Sequence, residues 1–461
     1  MRVLLVAPHP DIIDAVETTP YPPLGLLYIG GVIQDLDIEL QILDANMLKL
    51  NIEETIVKIK QYNPDVLGIS VNIVTAQAAK KVLERIRKDM PTIFCITGGP
   101  LPTIVADIWI DYCDVVLIGE GELTFRYVIE TLLNNESIKD SMKGVYVKGG
   151  KISHAVSPDL ETLPFPAYDA LVPDIREYSS KARLVKSYMA PLLTSRGCPY
   201  NCTFCNKGVH GSKFRPRSVE SVLKEIKWLM EKYQVHQLDI LDDNFTFDQE
   251  RAVKILKGIQ KIGKFAINCQ NGVRADRVNK SLIHEMKKAG VFRVGIGIES
   301  SNLYTLKRIK KNLDLEKVKE TIGMFRKEKI VVHGYFIVGF PFETLEDVKN
   351  TMEFAKRLNP HFANFSQYLP IIGTQLYKEL YDAGQIMTKD GEVNGSFFNI
   401  GESYVISPNF TKEEFEILYH KMWKNFYLNP RKVIDILFSV KSFRELLWIL
   451  RIGLSIIKEV F

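Results

Sequence analysis

Cysteine is scarce in this chain, six residues among 461, which excludes the dense disulfide framework of a small secreted domain. No uncharged, predominantly apolar run reaches the length of a bilayer-spanning helix. Neither GxGxxG nor GxxxxGKS/T occurs, which argues against a nucleotide-phosphate cradle. Lys and Arg form no dense block and the net charge is only +5, so nucleic acid is not expected as a partner. The amino terminus reads as a strand rather than a cleavable signal, and a cytoplasmic location is expected.

What is present is a globular composition, 46% hydrophobic and 25% charged, in a length that suggests two or three domains. Three of the six cysteines, Cys198, Cys202 and Cys205, fall within eight residues at CxxxCxxC spacing. Three thiolates in one loop leave a four-iron cluster one ligand short, and an iron with an open position can hold a substrate or cofactor. Structural zinc normally takes a fourth Cys or His at paired two-residue spacing. His210 is near enough to be considered, so zinc and uninvolved thiols stay as alternatives at this point.

The amino-terminal part alternates apolar runs with helical patterns. Runs near Arg2–Ala7, Asp65–Val71, Thr92–Thr97 and Val115–Ile118 read as buried strands, and Ala76–Lys88 as an amphipathic helix, so a Rossmann-like doubly wound parallel sheet is expected. Ligands of such sheets sit beyond the strand carboxyl ends. Ser70, Gly98, Gly99, Pro100, Gly119, Glu120, Gly121 and Glu122 fall there, although each alone suits an ordinary turn. Between 146 and 188, Pro158, Pro164, Pro166 and Pro173 interrupt the pattern, which reads as a linker.

A second βα series follows. Pro191–Arg196 leads into the cysteine loop, and strands are expected near Gln237–Leu241, Phe265–Gln270, Val291–Ile298, Val331–Val338 and Ala363–Tyr368, with helices between them. Six βα units predict a partial (β/α)6 barrel with its site at the strand carboxyl ends. The resulting layout is 1–145 for the first domain, 189–385 for the barrel and 386–461 for a mainly helical end. Asp242-Asp243-Asn244, Arg274, the Gly295–Ser300 segment with Glu299, and the His333–Pro341 segment with Gly339 all fall at the expected barrel top. Tyr335, Phe340 and Tyr368 are candidates to line a pocket there.

In that order, the cysteine loop, the acidic segment, GIES and VGFP closely resemble the radical S-adenosylmethionine (SAM) enzymes. Residues 1 to about 140 resemble the cobalamin-binding domain that precedes the core in one subfamily. The resemblance implies that Cys198, Cys202 and Cys205 ligate a 4Fe-4S cluster whose fourth iron chelates SAM. It also implies that Phe204, Gly339 and Pro341 lie against adenine, that Asp242, Asp243 and Asn244 meet the methionine amino group, and that Glu299 and Arg274 face ribose or carboxylate. Ser70, Gly98–Pro100 and Gly119–Glu122 are then the cobalamin contacts. The implied chemistry is a 5′-deoxyadenosyl radical that activates a carbon, followed by methylation from methylcobalamin. The rivals are a non-methylating oxidase or cyclase of the tetrapyrrole ring cyclase type, and a cobalamin or redox sensor without turnover. No residue is assigned a catalytic role beyond cofactor binding. A small-molecule, lipid or peptide substrate and an external one-electron reductant such as flavodoxin or ferredoxin are the implied partners.

Many cobalamin carriers hold cobalt from below through the His of DxHxxG, a motif this chain lacks. His9, between two prolines, reads as a turn residue, so a corrin without a His ligand from such a motif is expected. Arg431–Phe461 mixes Ile434, Leu437, Phe438 and other apolar residues with Lys and Arg. A basic amphipathic segment of this kind either caps the barrel, the favoured reading, or lies on a membrane surface.

Overall fold

The computed structural model describes residues 1–10, 21–139, 141–178, 188–386, 405, 407–439, 446–447 and 450. These fold as two compact units whose main division falls at Tyr178.

The first unit holds strands β1 (Arg2–Ala7), β2 (Glu39–Asp44), β3 (Val66–Ser70), β4 (Phe94–Gly98), β5 (Val115–Leu117), β6 (Val145–Tyr146) and β7 (Leu171–Val172), in the order β6-β5-β4-β3-β1-β2-β7. Every neighbouring pair is parallel except β5 with β6. Val3 to Val6 are fully or almost fully buried, as expected of a central strand covered on both faces. The helix Ala76–Asp89 turns Ala79, Val82, Leu83 and Ile86 inward and leaves its charges outside. The expected doubly wound parallel sheet is present, with three further strands.

Those three were hidden for different reasons. β2 begins with exposed Glu39 and half-buried Leu40 and Gln41, so its apolar signal is diluted. β6 and β7 are two residues each, too short to leave a period. β7 lies in the proline-rich stretch 146–188, which carries more structure than a connection requires. Tyr168 and Tyr178 are buried there, and the Tyr178 hydroxyl donates to Asp44 Oδ2 at 2.6 Å.

In the second unit β8 (Tyr188–Leu192) is followed by β9 (Ser195–Arg196) and β10 (Arg215–Pro216), which pair antiparallel with each other. The main sheet continues with β11 (Val235–Ile240), β12 (Ala266–Val273), β13 (Val291–Glu299), β14 (Val331–Val338) and β15 (Phe362–Gln367). Its order, β15-β14-β13-β12-β11-β8, is consecutive and parallel throughout, the topology of a partial six-stranded barrel. The helices Val219–Tyr233, Gln249–Ile262, Lys280–Ala289, Leu315–Lys327 and Leu345–Leu358 fill the five crossovers, as expected of helices between the strands.

Pro191–Arg196, expected as one strand, is broken. β8 stops at Leu192, and Ser195–Arg196 leaves the sheet to pair with Arg215–Pro216. The break lets residues 197–214 close into a loop on a two-rung ladder. Arg217 and Glu225 form a buried ion pair immediately behind it.

An open barrel leaves β15 as an edge, which needs a cover. The helix Lys412–Tyr427 supplies it: Tyr419 Oη donates to Phe365 O at 2.5 Å, Tyr427 Oη donates to Ala363 O at 2.6 Å, and Ala363 N donates back to Tyr427 Oη at 3.0 Å. The helix Pro430–Ser439 is tied to this unit by Lys432, which donates to Pro360 O at 2.6 Å, and by the Arg326–Asp435 pair at 2.7 Å. Most of the expected amphipathic segment beyond Ser439 lies outside the described residues.

Candidate active site

The geometry of the cysteine loop is set by two consecutive carboxylates at the end of β11. Asp242 is completely buried and accepts three hydrogen bonds, from Thr194 N at 2.6 Å, Thr194 Oγ1 at 2.6 Å and Ser195 Oγ at 2.5 Å. Asp243 accepts from Gly197 N at 3.0 Å. Together they fix Thr194, Ser195 and Gly197, on the approach to Cys198. Burial pushes the Asp242 carboxyl above its ordinary range, against the Thr194 and Ser195 donors and the nearby Arg251 charge, which pull it down. Arg251 in turn donates to Thr194 O at 2.5 Å and to Arg217 O at 2.8 Å, holding the entry and exit of the loop together.

Asp242 was expected to meet the methionine amino group; in the structure both its oxygens accept hydrogen bonds from Thr194 and Ser195. Asn244, two residues on, is the member of the segment with capacity to spare. It is almost fully buried, and its Oδ1 has no hydrogen-bond partner among the described residues. An orphaned buried acceptor is costly unless a donor arrives, and an ammonium is the strongest such donor.

Cys198 and Cys202 are half-buried, and Cys205 is exposed. The described residues contain no group of three His, Cys, Asp or Glu side chains converging on a single ion. The three cysteines lie on one loop, and the ligands of a cubane each bind a different iron. Burial raises the Cys202 thiol above its usual range, while the Lys311 and Arg274 charges oppose the rise. Three cysteines outside any disulfide in one pinned loop, with two cations close enough to act on the middle one, fit an iron–sulfur cluster.

Arg274 and Glu299, expected to face the ligand, are also engaged internally. Arg274 pairs with Asp276 at 2.8 Å, donates to Lys311 O at 2.7 Å and lies 4.2 Å over the Tyr200 ring, clamping the cysteine loop to the turn at Lys311. Glu299 pairs with Lys311 at 2.8 Å from a left-handed backbone (φ 69°). A Cβ on Gly297 would stand 2.6 Å from the Glu299 carboxylate and 3.0 Å from Lys311 Nζ, so a larger residue there would push against this pair. Lys311 was not singled out in the sequence, because nothing in Lys310-Lys311-Asn312 distinguishes it from a solvated surface cation.

Phe204, between the second and third cysteines, stands edge-on to Phe340 with centroids 6.3 Å apart, so the cysteine loop and the Gly339–Pro341 turn meet. Phe340 also stacks on Tyr368 at 4.6 Å. Beneath the turn, buried Glu343 accepts from Gly339 N at 3.0 Å, Phe340 N at 3.2 Å and Ser300 Oγ at 3.1 Å. Burial pushes its carboxyl up to about 7 despite those donors. Glu343 was missed although it stands in the same GFPFE run, since its separation from Gly339 carries no helical or strand period. Of the candidate pocket aromatics, Phe340 and Tyr368 are core residues, and half-buried Tyr335 stacks on His333 at 4.9 Å.

In the first unit, the glycines at the strand ends serve close backbone approach. Gly99 has φ 108°, and a Cβ there would stand 2.7 Å from Val71 O; Gly119 has φ 93° and donates its N–H to Thr103 Oγ1 at 3.0 Å. Ser70, Gly98, Gly99 and Gly121 are half-exposed and Pro100 is exposed, while Glu120 and Glu122 are buried. The carboxyl ends of β3, β4 and β5 thus form a shelf of small residues that a flat ligand can approach. His9 lies close enough to Asp44 for its charge to favour the carboxylate, against the burial that raises it.

Comparison with known proteins agrees with this arrangement. A family model described as the B12 binding domain matches residues 10–129, and one described as the radical SAM superfamily matches residues 192–355. The chain is 30% identical over 421 residues to cytidylyl-2-hydroxyethylphosphonate methyltransferase of Streptomyces wedmorensis, covering 78% of each. It is 29% identical over 452 residues, 96% of each chain, to a protein of Pyrococcus horikoshii described as an uncharacterized methyltransferase. Among solved structures, the cobalamin-dependent SAM radical enzyme OxsB, with aqua-cobalamin and SAM bound, aligns over 99% of this chain and 72% of that one with a TM-score of 0.74 at 20% identity. The fold and the site define a radical SAM enzyme with an amino-terminal corrin-binding domain. The chain belongs to the cobalamin-dependent radical SAM family, whose cofactors are a 4Fe-4S cluster, SAM and cobalamin.

If Asp242 fixes the cysteine loop, Asp242→Ala leaves the three cysteines in place yet loses three hydrogen bonds to a buried charge, at about 1.5–3 kcal/mol each before relaxation. The variant is expected to bind well under half the iron of the wild-type protein after anaerobic reconstitution and to unfold at lower denaturant. Wild-type iron content in Asp242→Ala would contradict the assignment.

Proposed function

We propose that this chain is a methyltransferase acting on an unactivated carbon of a small organic substrate. When bound, the cluster and SAM supply a carbon-centred radical for hydrogen abstraction, and cobalamin supplies the methyl group. The chain's own residues hold and orient these groups. Cys198, Cys202 and Cys205 ligate the cluster in a loop pinned by Asp242 and Asp243. Asn244 offers its orphaned carbonyl oxygen to the methionine ammonium, and Phe204 with Gly339 and Pro341 brackets the adenine. Lys311, partnered by Glu299, balances charge beside Cys202. Ser70, Gly98, Gly99, Pro100, Gly119 and Gly121 border the corrin, with Glu120 and Glu122 behind them. The reductant is external.

The observation that carries the reading is the pinned three-cysteine loop meeting the Gly339–Pro341 turn, beside the unpartnered Asn244 oxygen. The names of the two relatives support methyl transfer over ring closure. Anaerobic turnover with cobalamin and a substrate drawn from the chain's genomic neighbourhood should yield S-adenosylhomocysteine and 5′-deoxyadenosine in equal amounts alongside a methylated product. Release of 5′-deoxyadenosine without S-adenosylhomocysteine would favour an oxidase or cyclase. Neither product under reducing conditions would leave a sensor.

No helix among the described residues is long and apolar enough to cross a membrane. Peripheral contact with anionic lipid is supported by the helix Pro430–Ser439, whose Ile434, Leu437 and Phe438 are 53%, 46% and 87% exposed on one face while Lys432 and Ile436 dock on the other. Basic and apolar residues continue beyond it in the sequence. The intact chain is expected to float with phosphatidylserine vesicles, and a chain ending at Asn429 to stay behind. Equal flotation of the two would refute the contact.

A further inference from the structure

Residues that face the centre of a β/α barrel are ordinarily bulky and apolar. The strands of the second unit depart from this. Asp239, Asn268 and Arg293 stand side by side in register on β11, β12 and β13, and their side chains link up: Arg293 Nε donates to Asn268 Oδ1 at 3.1 Å, and Asn268 Nδ2 donates to Asp239 Oδ2 at 2.8 Å. The same face of β13 continues through Gly295 and Gly297 to the Glu299–Lys311 pair, since a Cβ on Gly297 would meet both members of that pair. Val294, Ile296 and Ile298, which alternate with these residues on the opposite face, are completely buried, as expected beneath crossover helices. Arg293 therefore lies on the face that carries the candidate active site, about 13 Å down the strand from Gly297 at the usual rise per residue.

The guanidinium is only partly used there. Arg293 spends Nε on Asn268, while its two terminal nitrogens donate to no group among the described residues, and no carboxylate among them forms an ion pair with it. Asp239, the acid of the row, is separated from it by Asn268 and takes Gln237 Nε2 on its other oxygen at 2.9 Å. The charge is felt nearby. Burial pushes His333 down to about 3, and the Arg293 charge adds to the fall; the same charge opposes the rise that burial imposes on Tyr335. Arginine normally enters the interior of a fold only when paired.

The surroundings suit a ligand. Tyr335 stacks on His333 at 4.9 Å and lies against Gly295, where a Cβ would stand 2.7 Å from its ring, so the bare backbone of Gly295 gives the ring its place. Asn364 lies across from Tyr335 in register on β15, and Ser366 follows on the same face. Both are half-buried, and neither side chain has a hydrogen-bond partner among the described residues. A half-open interior with an unpaired cation, an aromatic wall and spare amide and hydroxyl groups has the make-up of a site for a polar, negatively charged molecule. A purely structural Arg–Asn–Asp chain would account for Nε alone.

We propose that Arg293 anchors an anionic group of the substrate, so that the molecule methylated is an organic acid. A carboxylate or a phosphate pairs with the two free guanidinium nitrogens, Tyr335 packs along the carbon skeleton, and the acceptor carbon points toward Gly297. The inference rests on the methyltransferase reading and deepens it by naming the substrate class. Carboxylate and phosphate are recognised by the same planar fork, and the arms of the test separate them. Arg293 takes no part in bond making here; it determines specificity.

Saturation-transfer NMR on the oxidised, reconstituted holoenzyme tests this with three probes of similar shape: benzoate, phenyl phosphate and neutral benzamide. Wild-type protein is expected to bind one of the acids at least ~10-fold more tightly than benzamide, and the acid preferred tells carboxylate from phosphate. Arg293→Gln removes the charge and should erase the preference while benzamide binding stays the same; Arg293→Lys keeps the charge and should retain part of it. Val331→Asp puts a carboxylate at the position paired with Arg293 across the sheet and should erase the preference with the arginine still present, which decides the matter should the glutamine variant not fold. Equal binding of acids and benzamide by the wild type, or an acid preference that survives in Arg293→Gln or in Val331→Asp, overturns the inference. A cluster signal indifferent to SAM would count against the radical reading alone, because the probe comparison needs no turnover.

Discussion

A buried carboxylate that accepts three hydrogen bonds from two adjacent residues is the constraint on which the second unit depends. Asp242 sits at the carboxyl end of β11, next to the first barrel strand, and takes Thr194 and Ser195 out of that strand's path. Everything after Ser195 follows from this diversion. β9 leaves the sheet, the loop closes on β10, and the cysteines emerge at the barrel top rather than continuing a ladder. A neutral side chain at this position would leave the strand free to extend, and the Arg251 guanidinium beside Thr194 would lose its counter-charge.

The same economy governs the rest of the site. Most of the charged groups at the strand ends hold other parts of the chain in place. Arg274 clamps Tyr200 and the 311–312 turn, and Glu343 fixes the backbone of the Gly339–Phe340 turn. This suits chemistry in which the cofactors supply the reactive species and the protein supplies position and exclusion of water. Rigid supports leave the Asn244 carbonyl oxygen unpartnered among the described residues and hold Phe204 against buried Phe340.

The architecture was largely legible in the sequence because strands buried on both faces and amphipathic helices leave strong periods. The Val331–Val338 strand and the five crossover helices fall where their patterns place them. What escaped notice is what lacks a period: the two-residue strands β6 and β7, the half-exposed β2, and the departure of Ser195–Arg196 from the sheet. At the site, the cysteine spacing and the position of the polar segments at strand ends could be read directly. The division of labour within Asp242-Asp243-Asn244 could not, since sequence does not say which carboxylate a neighbouring strand will consume. Lys311 and Glu343 were unreadable for a related reason. Each acts through a single tertiary partner far away in the chain or around a turn.

The central claim is that three cysteines hold a cluster with one iron open to SAM. Electron paramagnetic resonance of the anaerobically reconstituted, reduced protein tests it most directly, with iron and sulfide measured on the same sample. The account predicts about four irons and four sulfides per chain and a signal whose shape changes when SAM is added, with both lost in the Cys198→Ala/Cys202→Ala/Cys205→Ala variant. A signal indifferent to SAM, or a full cluster in the triple variant, would contradict it.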